Sequence, residues 1–82
     1  MDLKIVRPTK TDAWEVNWVE AQTDEGNVII LPGHTPLIVV LTQQQELAFE
    51  LTDGTRQQIP IGSGILTVTR TDVTVLVTHD SH

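Results

Sequence analysis

Eighty-two residues make one domain, 1–82, and a chain this short buries only about 60–65% of its unfolded surface, so its core must come from few, efficient elements. A formal net charge of −6 runs against nucleic acid, whose phosphates select basic patches. The absence of cysteine excludes a disulfide framework or thiolate metal site. No stretch nears the roughly 18 apolar residues of a membrane span, and Met1-Asp2-Leu3-Lys4 lacks secretory-signal character, so the expectation is a soluble domain.

In chain order, Leu3 to Val6 predicts a short strand stopped by Pro8, and Glu15 to Gln22 predicts a second in which Trp18 could face either way. Acidic residues gather early, at Asp12, Glu15, Glu20, Asp24 and Glu25. They form either a solvated face or a surface for a basic partner. An apolar run, Val28 to Leu31, then meets Pro32-Gly33, and a second run, Leu37 to Leu41, starts behind Pro36. Pro32 presets φ for the second position of a β-turn, and Gly33 accepts the positive φ that a type II turn requires at the third. His34 and Thr35 are thereby held in a stiff connection, which serves either docking or simply a strand-turn-strand corner.

Leu47, Phe49 and Leu51 alternate with Glu46, Ala48 and Glu50, a half-buried strand. Asp53-Gly54 follows as a hairpin signal. Pro60 cannot donate to a ladder, so the return strand is expected at an edge or a bulge. Gly62-Ser63-Gly64 breaks the pattern and reads as a bulge or close backbone approach at a sheet corner. Ile65 to Arg70 resumes it with Leu66 and Val68 on one face. After a turn at Thr71-Asp72, Val73, Val75 and Val77 share a face. No window carries helical periodicity over ten residues. The prediction is an all-β fold, a flattened antiparallel β-sandwich or barrel of about 8–10 short strands.

Catalytic chemistry finds little support. His34, His79 and His82 with Asp80 fix no three ligands around an open site, so no metal is expected. Ser63 and Ser81 lack a nucleophile's surroundings, and Gly62-Ser63-Gly64 lacks a P-loop lysine. Asp24-Glu25 are adjacent loop carboxylates with nothing to separate their pKa values. The expectation is a protein that is not an enzyme, with no cofactor and no small-molecule substrate.

With the strands placed, Glu25-Gly26, Leu31-Pro32-Gly33-His34 and Pro36-Leu37 resemble the signature of the epsilon subunit of F-type ATP synthases, whose mitochondrial counterpart is the delta subunit. Gly64-Ile65-Leu66, Val68 and Val73-Thr74-Val75-Leu76 fit a second block of that family. The resemblance runs from Leu3 to Thr78. It implies a flattened sandwich at the foot of the central stalk, binding the gamma subunit on one side and the polar loops of the membrane c-ring on the other. Such a rotor subunit is non-catalytic and helps couple ion translocation to ATP synthesis or hydrolysis. It would lie peripherally at the cytoplasmic face of the bacterial inner membrane, without inserting into it. Carried over by position, Asp24, Glu25, Gly26 and Asn27 would face the rotor ring, while Pro32, Gly33, His34 and Val39 would face gamma. A free-standing β-sandwich adaptor using the same loop is the alternative.

Departures from the family pattern are Asn27, where an acidic residue is common; Ile29, where a second glycine is common; Gln44-Gln45, in place of a turn glycine; and Ser63, in place of glycine. The family usually continues into a C-terminal helical pair, whereas this chain stops at His82. No ATP binding and no helical inhibitory switch are therefore expected from it.

Overall fold

The computed structural model describes residues 1–23, 26–41 and 45–79. They form eight strands: β1 (Asp2–Val6), β2 (Thr11–Thr23), β3 (Gly26–Ile30), β4 (Leu37–Leu41), β5 (Gln45–Leu51), β6 (Arg56–Ile61), β7 (Ser63–Val68) and β8 (Asp72–His79). The all-β sandwich expected from the period-two patterning is what forms. Among the boundaries that differ from expectation, two have a clear cause. β2 begins earlier, at Thr11, because residues 11–15 pair with β1. β7 ends at Val68, because Thr69 enters a turn in which its N–H donates to the carbonyl of Asp72 at 2.8 Å.

β2 belongs to both layers. Its first half extends the order β4-β7-β8-β1-β2, here called sheet A, and its second half pairs with β3 and β5. Together with β6 these form sheet B. The crossing is marked by a shift of register between Val16 and Trp18 opposite β5. Strands change sheet at such bulges. The bulged Asn17 is fastened there: its Nδ2 donates to Glu50 Oε1 at 2.8 Å and to the Leu51 carbonyl at 3.1 Å.

One pairing is parallel. β1 runs alongside β8 with Leu3 opposite Val73 and Ile5 opposite Val75. All the other pairings among the described residues are antiparallel. A parallel neighbour needs a long crossover, and here the two strands come from opposite ends of the chain.

The interior is made by alternation. Leu3 and Ile5, Leu66 and Val68, and Val73, Val75 and Val77 line sheet A; Val19, Ile30, Leu47, Phe49 and Ile61 line sheet B. Trp14 leans on Phe49 with ring centroids 5.0 Å apart. No polar or charged residue among those described is buried, so the interior is held by apolar burial, worth about 1.5–3 kcal/mol per large side chain. Pro60 sits on β6, which pairs only with β5 among the described strands, the edge position its missing N–H requires.

The glycine-rich corner has a steric cause. Between Ser63 and Gly64 the β7–β8 register shifts. A Cβ on Gly64 would lie 2.3 Å from the Leu76 carbonyl oxygen. Only glycine admits that approach, which lets the chain turn from β6 in sheet B into β7 in sheet A.

Candidate interaction surfaces

The Pro-Gly loop forms as its chemistry dictates. The His34 N–H donates to the Leu31 carbonyl at 3.1 Å, closing a four-residue turn with Pro32 second and Gly33 third. Gly33 has φ 83°, a left-handed conformation that glycine adopts without steric cost. Its own N–H donates to the Arg70 carbonyl at 3.1 Å, tying the loop to the β7–β8 turn. Pro32 and Gly33 are exposed and His34 is half-buried. His34 Nδ1 lies 2.6 Å from the Thr35 carbonyl; a carbonyl only accepts, so Nδ1 carries the proton in this contact. The histidine thus braces its own loop.

Val39 is placed differently from its neighbours. Opposite Leu66 in the β4–β7 register, it points inward and packs against the core. Ile38 and Val40 point outward and are 71% and 64% exposed. A partner meeting the outside of β4 therefore touches those two side chains rather than that of Val39. The sequence carries the signal only in part: Leu37 to Leu41 is apolar throughout, so alternation has no phase to read.

At the other proposed surface, Asp24 and Glu25 lie outside the described residues. Gly26 and Asn27 open β3 and are exposed. Asn27 Nδ2 donates to Glu20 Oε2 at 3.4 Å, while Glu20 Oε1 accepts from Arg56 Nη2 at 3.4 Å. Arg56 in turn stacks over the Trp18 ring, 5.3 Å from its centroid. This settles Trp18 on the outer face of sheet B. Glu20 is thus paired, although it belongs to the early acidic group. Ile29, where a second glycine is common in the family, takes an ordinary strand position with its side chain exposed.

Of the chemically suggestive residues near the C-terminus, the His79 side chain, Asp80, Ser81 and His82 lie outside the described residues. Among the described residues no three His, Cys, Asp or Glu side chains converge as a metal-holding group. A surface recess of about 180 Å³ is lined by Asp2, Lys4, Asp72, Val73 and Thr74.

Residues 1–79 match the family model of the ATP synthase delta/epsilon chain β-sandwich domain. The chain belongs to this family. The ATP synthase epsilon chain of Rhodococcus erythropolis is 40% identical over 58 residues, covering 71% of this chain and 48% of the relative. The epsilon chain of Clostridium acetobutylicum is 35% identical over 75 residues, 90% of this chain and 56% of that protein. The chain thus spans about half the length of these relatives. A chain in the cryo-EM structure of the Tetrahymena thermophila mitochondrial ATP synthase central stalk and c-ring shares the fold. Its TM-score is 0.73 at 16% identity, over 96% of this chain and 63% of that one. The epsilon-type sandwich is thus established from sequence family and from fold. No helix among the described residues is long and apolar enough to cross a membrane.

Proposed function

We propose that this chain serves as the sandwich domain of a central-stalk subunit in an F-type ATP synthase, binding gamma and the c-ring and helping to couple ion flow to ATP synthesis or hydrolysis. The observation that carries this reading is the family match across residues 1–79. It is supported by relatives that are epsilon chains and by a fold shared with a chain of a central stalk and c-ring assembly. The domain acts by contact rather than by catalysis, peripheral to the cytoplasmic face of a bacterial membrane. In this arrangement the Pro32-Gly33-His34 loop and β4 face gamma, and the β2–β3 connection with Asp24, Glu25, Gly26 and Asn27 faces the rotor ring.

Rigidity at the loop suits such a role. The type II turn and the Gly33–Arg70 bond hold His34 in place before a partner arrives, so little ordering entropy is lost on docking. Mixing the purified chain with the ATP synthase gamma subunit of the same organism, followed by size-exclusion chromatography and calorimetry, tests the proposal. A stable equimolar complex is expected. Elution of the chain alone with no heat of binding would overturn the proposal and leave the adaptor alternative.

A further inference from the structure

Asp53 is the one aspartate of the chain followed by glycine, and neither Asn17 nor Asn27 is. Asp-Gly is the aspartyl dipeptide whose backbone rearranges most readily. The glycine nitrogen, unhindered by a Cβ, attacks the aspartic acid Cγ. Its proton and the hydroxyl of the neutral carboxyl depart together as water, and a five-membered succinimide closes. Water then adds to either ring carbonyl and breaks the C–N bond there. Addition at Cγ restores aspartate. Addition at the backbone carbonyl leaves isoaspartate, whose main chain runs through Cβ and Cγ and is one methylene longer. The sum is an isomerisation that needs no oxidant, reductant or cofactor.

The β5–β6 hairpin depends on this pair. Its loop is Thr52-Asp53-Gly54, closed by the Leu51 N–H donating to the Thr55 carbonyl at 2.8 Å. The last residue of such a three-residue loop takes a left-handed conformation, and Gly54 does so at φ 92°, where a side chain would be strained. Both residues are exposed. A Cβ placed on Gly54 would meet no heavy atom within 4 Å among the described residues beyond its chain neighbours. Packing therefore gives the peptide no shelter, but hydrogen bonds do. The nucleophile is engaged: the Gly54 N–H donates to the Leu51 carbonyl at 2.9 Å, which fixes the nitrogen in the turn and holds its proton. The carboxyl is engaged too: Asp53 Oδ1 accepts the Thr55 N–H at 2.8 Å, which directs it at Thr55 and favours the anion. An anion has no hydroxyl to release, and this bond holds the carboxyl below its ordinary 3.8.

We infer that Asp53-Gly54 is a latent modification site whose isomerisation the β5–β6 turn holds off, so that isoaspartate forms only when the hairpin opens. Opening releases nitrogen and carboxyl together, because the bonds that engage them belong to one loop. The product then keeps the loop open. With an extra methylene between Asp53 and Gly54, the Gly54–Leu51 and Asp53–Thr55 bonds cannot both re-form. The register that sets Phe49 opposite Gln57 and Leu47 opposite Ile59 starts at this loop, so the damage reaches sheet B first.

The test incubates the whole chain at mildly acidic pH, warm but below its melting transition, and follows residue 53 by peptide mapping with electron-transfer fragmentation, which separates aspartate from isoaspartate. A synthetic peptide of residues 50–57 in the same buffer is the reference. Isoaspartate is expected to form about tenfold or more slowly in the native chain than in the peptide, in proportion to the open fraction read from hydrogen exchange of the Gly54 amide. Thr55→Pro removes the N–H that engages the carboxyl. Ile59→Val thins the half-buried contact of β6 with the core and leaves the turn's own residues in place. Each should raise the native rate several-fold. Urea unfolding checks that the variants fold, and if Thr55→Pro does not, Ile59→Val carries the comparison. Equal rates in native chain and peptide overturn the inference, as does a native rate unchanged in the folded variants. It is also overturned if the peptide forms no isoaspartate, or if another aspartate isomerises before Asp53 in the urea-unfolded chain.

Discussion

The two sheets share one core but finish their outer faces in opposite ways. On sheet B the exposed polar groups answer one another: Glu20 holds Asn27 and Arg56, Arg56 covers Trp18, and Asn17 holds Glu50. Beneath them even the outward-facing Ala48 is buried. On sheet A most outer groups among the described residues are sorted by kind, apolar with apolar and acid with acid: Val40, Ile65 and Leu76 are lateral neighbours, as are Asp2 and Asp72, although the Ser63 and Thr78 hydroxyls pair at 3.1 Å. The same inward alternation underlies both, so the difference lies wholly in what each strand shows to the outside. A face that completes its own interactions contributes to the stability of the domain. One that leaves them open contributes little until something covers it.

The comparison can be broken at the backbone first, where the largest effect is expected. If sheet A is held by its interior and its close strand approach, Gly64→Ala should be severe, because the new Cβ would fall 2.3 Å from the Leu76 carbonyl oxygen. A loss of about 3 kcal/mol in urea unfolding is expected. A loss under about 0.5 kcal/mol would show that the β7–β8 junction yields easily.

A smaller effect probes the crossing between the sheets. Asn17→Ala removes both hydrogen bonds at the β2 bulge and should lower stability by about 1 kcal/mol. It should also raise amide exchange in the second half of β2 more than in β8. Uniform exchange across both would mean that the bulge is not what pins sheet B to sheet A.

The turns sharpen the contrast with the smallest effect. In the β5–β6 hairpin of sheet B, Gly54 has φ 92° and its N–H donates to the Leu51 carbonyl at 2.9 Å. Beside it Asp53 Oδ1 accepts the Thr55 N–H at 2.8 Å, and that bond holds the Asp53 carboxyl below its ordinary 3.8. In the β7–β8 turn of sheet A the equivalent acceptor is the hydroxyl of Thr69, 3.0 Å from the Asp72 N–H, which does not titrate in this range. A depressed carboxylate favours the folded state fully above its unfolded pKa. That contribution fades as pH falls below 3.8 through the lowered native value. Asp53→Ala should therefore be slightly less stable than the native chain at neutral pH, with the gap closing in acid. A gap that persists unchanged at low pH would place its origin elsewhere.

Local chemistry is legible in the sequence alone. Pro32-Gly33 and Asp53-Gly54 specify their turns through φ. Pro60 requires an edge through its missing donor. Alternation at Leu66, Val68, Val73, Val75 and Val77 assigns an inward face wherever polar residues intervene, and the spacing of Leu31-Pro32-Gly33-His34 and Pro36-Leu37 carries the family. Each of these is a property of a few consecutive residues. The outward placement of Ile38 and Val40, and the inward turn of Val39, are not legible there, because five consecutive apolar residues look the same in either phase until β7 sets the register. Nor is the meeting of Asp2 with Asp72, which depends on the two ends of the chain pairing in parallel, or the bond from Asn17 to Glu50. Strand pairing is a long-range choice made by packing the whole core at once, and it is that choice which gathers scattered valine, isoleucine, leucine and aspartate residues into the ordered outer face of sheet A.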